Sequence, residues 1–357
     1  MAYIVLVIII VLAELLRERL HWDKVRKDRL FLGIVIFSCA LLMGVRGSEV
    51  GVDTNSYQEI FDNTSKSGFW DIVANRDDSR MEIGYALLMK VCSCIINNYF
   101  FFQIVVSFLF CFGMGKFIRD NSENIVMSTV IFVGSGIFLQ AFGITRQYLA
   151  VMLVANSWTY LKEKRVIRSS LLIILAATVH NSAILFFIAI VVYLLKEKKL
   201  LLNLAPIAIV IVALNYEGII NAIISLSGDT FEKYNMYLGN SLAHISAGGI
   251  TVMWIIIGIL SIYVVYQKSQ ISSSQKIEAI FSFSYVIFSF LGIYFNYADR
   301  VGYYFMPFIL LTFPVAQRIL NRIQLKRIYT AGVYVCFIAL FLISGLGSGN
   351  LQYTTFF

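Results

Sequence analysis

The sequence predicts an all-α polytopic membrane protein, with about twelve transmembrane helices and one further helix lying at the outer interface. Composition, the length of the apolar runs and the placing of the basic residues carry that reading. Hydrophobic residues make up 59% of the chain and charged residues only 14%, and the mean hydropathy is +0.78. A soluble domain is nearer a quarter charged. With only three prolines, at Pro206, Pro307 and Pro314, and no Ser/Gly-rich linker, residues 1–357 read as a single integral membrane domain.

A spanning helix needs about 20 apolar residues. Runs of that kind lie near 2–16, 30–45, 99–118, 125–143, 145–161, 200–222, 249–267, 277–296, 301–317 and 328–346. The first run precedes a basic cluster. A cleavable signal would carry its positive charge before the apolar stretch, so 2–16 is expected to be the first span. Two regions, 82–97 and 167–195, are ambiguous by length alone.

Net charge is +8, yet the basic residues fall in short clusters between apolar runs. That pattern encodes topology and argues against a nucleic-acid surface. The clusters are Arg17/Arg19/Lys24/Arg26/Lys27/Arg29, Lys116/Arg119, Lys162/Lys164/Arg165/Arg168, Lys196/Lys198/Lys199, Lys268/Lys276 and Arg318/Arg322/Lys326/Arg327. Placed in the cytoplasm, they require an even number of crossings between neighbours. Segment 82–97 should then not cross, and 167–195 should divide into two short passes around Val179-His180-Asn181-Ser182. The alternative for 167–195 is one long helix, with Lys196–Lys199 outside. The chosen topology puts both termini outside, with outer segments 46–98, 143–147, 179–182, 223–248 and 296–303.

These outer segments collect the polar residues that apolar runs do not explain. The first contains Arg46, Asp53 and Tyr57, then Glu82 and Tyr85, with interspersed glycines. Carboxylates and aromatic faces together suit sugars; an ordinary solvated loop is the plainer reading. Arg146, followed by Gln147, interrupts two apolar runs, and a cation at that depth needs an anion, a water-filled cavity or a route to the interface. His180 sits between apolar runs, either as a satisfied core histidine or as a proton acceptor facing a polar cavity. Tyr234 and Tyr237 belong to an amphipathic loop, where an interfacial aromatic belt competes with ligand contact. Asp299, Arg300 and Tyr303 open a later span. Arg46, Arg146 and Arg300 are outer-face cations on separate elements, and the guanidinium fork suits phosphate. The five cysteines lie in or beside apolar runs and are expected to be buried, inert thiols. No DxD-like metal motif stands in an obvious place, and neither metal nor cofactor is expected.

The ordered set Arg46-Gly…Val50-Gly51-Val52-Asp53-Thr54…Tyr57…Phe61, Glu82-Ile-Gly84-Tyr85, Arg146-Gln147…Leu149-Ala150, His180-Asn-Ser182-Ala183, Lys233-Tyr234…Tyr237 and Asp299-Arg300…Gly302-Tyr303 resembles the EpsG/Wzy-type bacterial polysaccharide polymerases. The resemblance covers most of the chain. It implies polymerisation of undecaprenyl-pyrophosphate-linked repeat units at the outer leaflet of the bacterial plasma membrane, and a fold related to the C-type integral-membrane glycosyltransferases. The implied partners are the lipid-linked oligosaccharide and membrane lipid, with room for a polysaccharide co-polymerase that sets chain length. On this reading Arg46, Arg146 and Arg300 hold pyrophosphate. His180, Glu82 or Asp53 acts as base, while Tyr57, Tyr85, Gln147, Tyr234, Tyr237, Asp299 and Tyr303 contact sugar or lipid. The rival readings are a flippase for the same lipid-linked unit, an O-antigen ligase-like transferase, and a non-catalytic scaffold.

Overall fold

The computed structural model describes residues 1–74, 81–218, 221, 249–267, 270–295 and 297–356. Arg80, Asp229, Glu232, Lys233, Tyr234, Tyr237, His244 and Asn296, and with them the expected outer loop 223–248, lie outside the described residues. The described residues are helical, joined by short turns, and form two compact units: Met1–Phe187 with Arg322–Phe357, and Ile188–Asn321.

The first unit begins with α1 (Ala2–Arg19) and α2 (Lys24–Gly44). They pack together and are joined near their polar ends by Arg17 Nε on Asp28 Oδ1 at 2.7 Å. Three short helices follow: α3 (Thr54–Lys66), α4 (Phe69–Ala74) and α5 (Ile83–Ile95). Helix α5 falls on 82–97, where an outer interfacial helix was expected, whereas α3 and α4 were not expected within the 46–98 segment. At 13 residues, α5 is about 20 Å long, less than the roughly 30 Å of a bilayer core, so it is too short for a full crossing. Helix α6 (Tyr99–Asn121) packs against α2.

The run 125–143, expected as one span, is two helices, α7 (Ile125–Gly134) and α8 (Ile137–Gly143), bent by 40°. The break falls at Ser135-Gly136, where Gly136 has a φ of +97°. After a single linking residue, Ile144, α9 (Thr145–Lys162) begins. Helix α10 (Val166–Val179) packs on α9 and stops at His180, whose backbone is extended. A 3-10 turn over Asn181–Phe187 follows. The ambiguous run 167–195 is therefore not one continuous helix, and the break lies at His180.

In the second unit, α11 (Ile188–Leu194) and α12 (Lys199–Leu214) precede α13 (Gly249–Val265) and α14 (Ser273–Tyr294). Helix α14 opens with a reciprocal capping box between Ser272 and Gln275, which satisfies two amides that the first turn would leave open. The expected span 301–317 is instead α15 (Ala298–Gly302), a 3-10 turn at Met306–Phe308, and α16 (Ile309–Ile319). Pro307 at the turn and Pro314 within α16 remove amide donors there, and proline disrupts a continuous helix. Back in the first unit, α17 (Ile323–Gly347) packs on α7 and α1.

Three helices, Tyr99–Asn121, Ser273–Tyr294 and Ile323–Gly347, are long and apolar enough to cross a bilayer, or four if the bent pair α7–α8 is one span. Several other apolar helices are shorter. Exposed Ile, Leu and Val side chains run along α1, α10 and α12, as expected where lipid rather than water is the surrounding medium. Cys39, Cys92 and Cys111 are buried and Cys336 is partly so, whereas Cys94 is exposed on α5. The expectation of uniformly buried thiols fails there because α5 is packed on one face only.

Candidate active site

Glu82, Arg146 and His180 come together from three elements of the first unit. Glu82 is the residue before α5, a position from which side chains often cap their own helix. Its carboxylate makes no such bond. Oε2 instead lies 2.6 Å from Arg146 Nη1. Oε1 lies 3.1 Å from His180 Nδ1 and also accepts the amide of Asn181 at 3.1 Å. One carboxylate thus joins a guanidinium, an imidazole and the first amide of the 3-10 turn. Arg146 Nη1 also reaches Met81 Sδ at 3.0 Å.

All three side chains are mostly enclosed, at 11%, 21% and 15% exposed for Glu82, Arg146 and His180. Burial by itself raises the Glu82 carboxyl. The hydrogen bond from His180, the charge of Arg146 and the Asn181 amide together outweigh it, so Glu82 is held below its ordinary value and stays ionised.

Local packing sets this geometry. A Cβ on Gly84 would fall 2.3 Å from Thr178 Oγ1 and 2.8 Å from Thr178 O. The absence of a side chain lets α5 approach the end of α10, which brings Glu82 to His180. Arg146 is fixed by the elbow at Ile144. There the turn after α2 presses on the carbonyl end of α8: a Cβ on Gly51 would lie 2.3 Å from Phe142 O, and Gly51 has a φ of +103°, a conformation suited to glycine.

The other expected site residues are distributed as follows. Asp53 is half-buried at the start of α3, and its carboxylate does not join the Glu82 cluster. Gln147 is buried in the first turn of α9, beside Arg146 in sequence. Tyr57 and Tyr85 are 6% and 1% exposed, with ring centroids 5.8 Å apart. Tyr85 also stands edge-on to Phe102, so these rings hold α3, α5 and α6 together and offer no open face for a sugar. Arg46 is 1% exposed and directs its donors to main-chain carbonyls and a hydroxyl. In the second unit, Tyr303 donates its hydroxyl to Asp299 Oδ2, and Arg300 lies 4.3 Å over the ring of Tyr297.

Sequence reasoning missed Met81, Asn181, Thr178 and Gln103. Gln103 is 4% exposed, and its amide donates to Gly44 O at 2.9 Å and Arg46 O at 2.8 Å. A lone amide within the apolar run 99–118 was the signal available for it.

A search of curated proteins and a search of solved structures each gave no match. The EpsG family pattern matches residues 29–356, nearly the whole chain and every element of the Glu82 cluster. This integral membrane protein therefore belongs to the EpsG family, a Wzy-type family of polysaccharide polymerases, and its general activity is that of a transferase in polysaccharide synthesis.

Proposed function

We propose that this chain lengthens a polysaccharide by moving the growing glycan from undecaprenyl pyrophosphate onto a lipid-linked repeat unit at the outer leaflet of the plasma membrane, with Glu82, Arg146 and His180 as its reaction centre. The observation that carries this reading is the single carboxylate shared by Arg146 and His180. One side of the cluster can take an anion and the other can take a proton, which are the two requirements of glycosyl transfer to a hydroxyl.

In the proposed step an acceptor hydroxyl oxygen attacks the anomeric carbon of the donor glycan. The bond from that carbon to the pyrophosphate oxygen breaks, and the lipid pyrophosphate leaves with the electron pair. Arg146 stabilises the charge that develops on it. The hydroxyl proton passes to His180. With Nδ1–H donated to Glu82, the acceptor lone pair of the ring is on Nε2, so Glu82 selects the tautomer able to act as base. Arriving pyrophosphate competes with Glu82 for Arg146, and Glu82 is then left to His180. The order of events would be donor first, then activation of the acceptor.

The topology that goes with this proposal has about twelve crossings, the basic clusters in the cytoplasm and the Glu82 cluster facing outward. The length of α5 and the break at His180 agree with the two choices that set it. The test is to incubate the purified protein in lipid with the lipid-linked oligosaccharide that accumulates in cells lacking it. A ladder of lengths is expected. A single transfer to a different lipid acceptor would make the protein a ligase and overturn the polymerase reading.

A further inference from the structure

We infer that Arg46 is a positioning residue that fixes the α8–α9 elbow and thereby the place of Arg146, and that it does not bind pyrophosphate itself. The inference rests on the reading of Arg146 as the pyrophosphate ligand.

The guanidinium of Arg46 is almost wholly enclosed, at 1% exposed. Nη1 donates to Met43 O, in the last turn of α2. Nη2 donates to Phe142 O at 3.1 Å, in the last turn of α8, and reaches Thr145 Oγ1 at 3.4 Å, the first residue of α9. Nε reaches Val50 O at 3.3 Å. The Phe142 ring lies 5.3 Å from the guanidinium carbon. Among the described residues no carboxylate lies within ion-pair distance of it. The carbonyl ends of two helices take that part, and a cation is favourable at such an end.

These contacts grip the elbow on both sides. Phe142 and Thr145 flank Gly143-Ile144, and Arg146 is the next residue. Thr145 Oγ1 also donates back to Ala141 O at 2.8 Å, and Thr54 Oγ1 donates to Val50 O at 2.8 Å. The backbone of Arg46 is itself held. Its carbonyl accepts from Gln103, and the adjoining Gly47 amide donates to Thr354 O at 2.9 Å. A fork with this geometry can set the direction in which α9 starts. A lysine ammonium, a point charge, cannot span α2, α8 and α9 together. For a phosphate to reach this guanidinium it would have to displace the carbonyls of two helix ends.

The experiment compares Arg46→Lys, Thr145→Val and Arg146→Lys in lipid, using the lipid-linked oligosaccharide that accumulates in cells lacking the protein. If Arg46 positions Arg146, Arg46→Lys lowers kcat about 100-fold, the scale of a misplacement of about 1 Å, with little change in KM. Thr145→Val removes the Arg46 contact on the α9 side together with the Thr145 bond to Ala141 O, keeps the charge, and lowers kcat in the same direction by less. It also carries the test if Arg46→Lys does not fold. The separating readout is the pH at which the Glu82 carboxyl protonates, followed by the infrared carboxyl band that Glu82→Gln lacks. Arg146 helps hold the Glu82 carboxyl down, so misplacing Arg146 should move that midpoint to higher pH, in the same direction as Arg146→Lys.

A raised KM with unchanged kcat and midpoint would make Arg46 a substrate ligand and overturn the inference. Loss of rate with an unmoved midpoint would make its role structural only, and also overturn it. Wild-type kinetics in Arg46→Lys and Thr145→Val, with Arg146→Lys inactive, sinks the inference alone. Wild-type kinetics in Arg146→Lys sinks the functional reading on which it rests.

Discussion

Glu82 Oε2 lies 2.6 Å from Arg146 Nη1, although 64 positions separate the two residues in the chain. The same carboxylate holds His180 through its other oxygen. Removing either partner therefore alters both the anion site and the base.

Arg146→Ala should abolish polymer and leave single lipid-linked units to accumulate. Loss of one preorganised donor to a developing anion costs about 10²–10³ in rate. A gel of lipid-linked products reads the outcome. Long chains formed at the wild-type rate would remove Arg146 from the reaction.

Glu82→Gln should separate binding from chemistry. The amide carries no charge to compete for Arg146, so the lipid pyrophosphate should bind at least as tightly as to wild type. Chemistry should slow by about 10²-fold, the lower range for general-base assistance, because the carboxylate no longer orients and balances His180. Donor affinity and single-turnover rate, measured on the same preparation, decide it. Weaker donor binding would mean that Glu82 does not occupy the place of the phosphate.

Acid should act through Glu82. Its carboxyl is lowered in the folded protein, because the His180 hydrogen bond, the Arg146 charge and the Asn181 amide overcome the upward push of burial. A lowered carboxyl contributes stability above its unfolded value, near 4.3, and loses that contribution as pH falls through the lower folded value. The bridge should therefore be fully present at neutral pH and fail only below about pH 4. Thermal unfolding of wild type and Glu82→Gln in detergent should converge in that acid window. A stability difference that persisted unchanged through it would exclude the carboxylate as the titrating group.

The break at His180 was legible because polar His180-Asn181-Ser182 sits between apolar runs and charge parity demanded an even number of crossings. Glu82, Arg146 and His180 could each be singled out as polar residues in unlikely places. Their convergence could not, since it spans 98 positions between Glu82 and His180 and no local periodicity records it. Arg46 shows the opposite limit. Its residue type pointed to phosphate, but its partners are main-chain carbonyls, which every sequence supplies and none advertises. Pro307 did mark the interruption of 301–317, and apolar length concealed its meaning.

Gly84 provides the packing test of the site. A methyl group there would stand 2.3 Å from Thr178 Oγ1 and 2.8 Å from Thr178 O. The hydroxyl belongs to a side chain that can turn away, but the carbonyl is backbone at the end of α10 and cannot yield without moving His180. Gly84→Ala should therefore cost about 1–3 kcal/mol of stability, as overpacking does. It should reduce turnover by more than that loss of folded protein explains. Thr178→Ala removes the hydroxyl and the γ-methyl but leaves the backbone carbonyl in place, so adding it to Gly84→Ala should restore part of the stability and little of the turnover. Unfolding midpoints and turnover per folded molecule for both single variants and the double variant form a complete cycle. Full recovery of turnover in the double variant would show that the side chain of Thr178, and not the approach of the α5 and α10 backbones, sets the distance from Glu82 to His180.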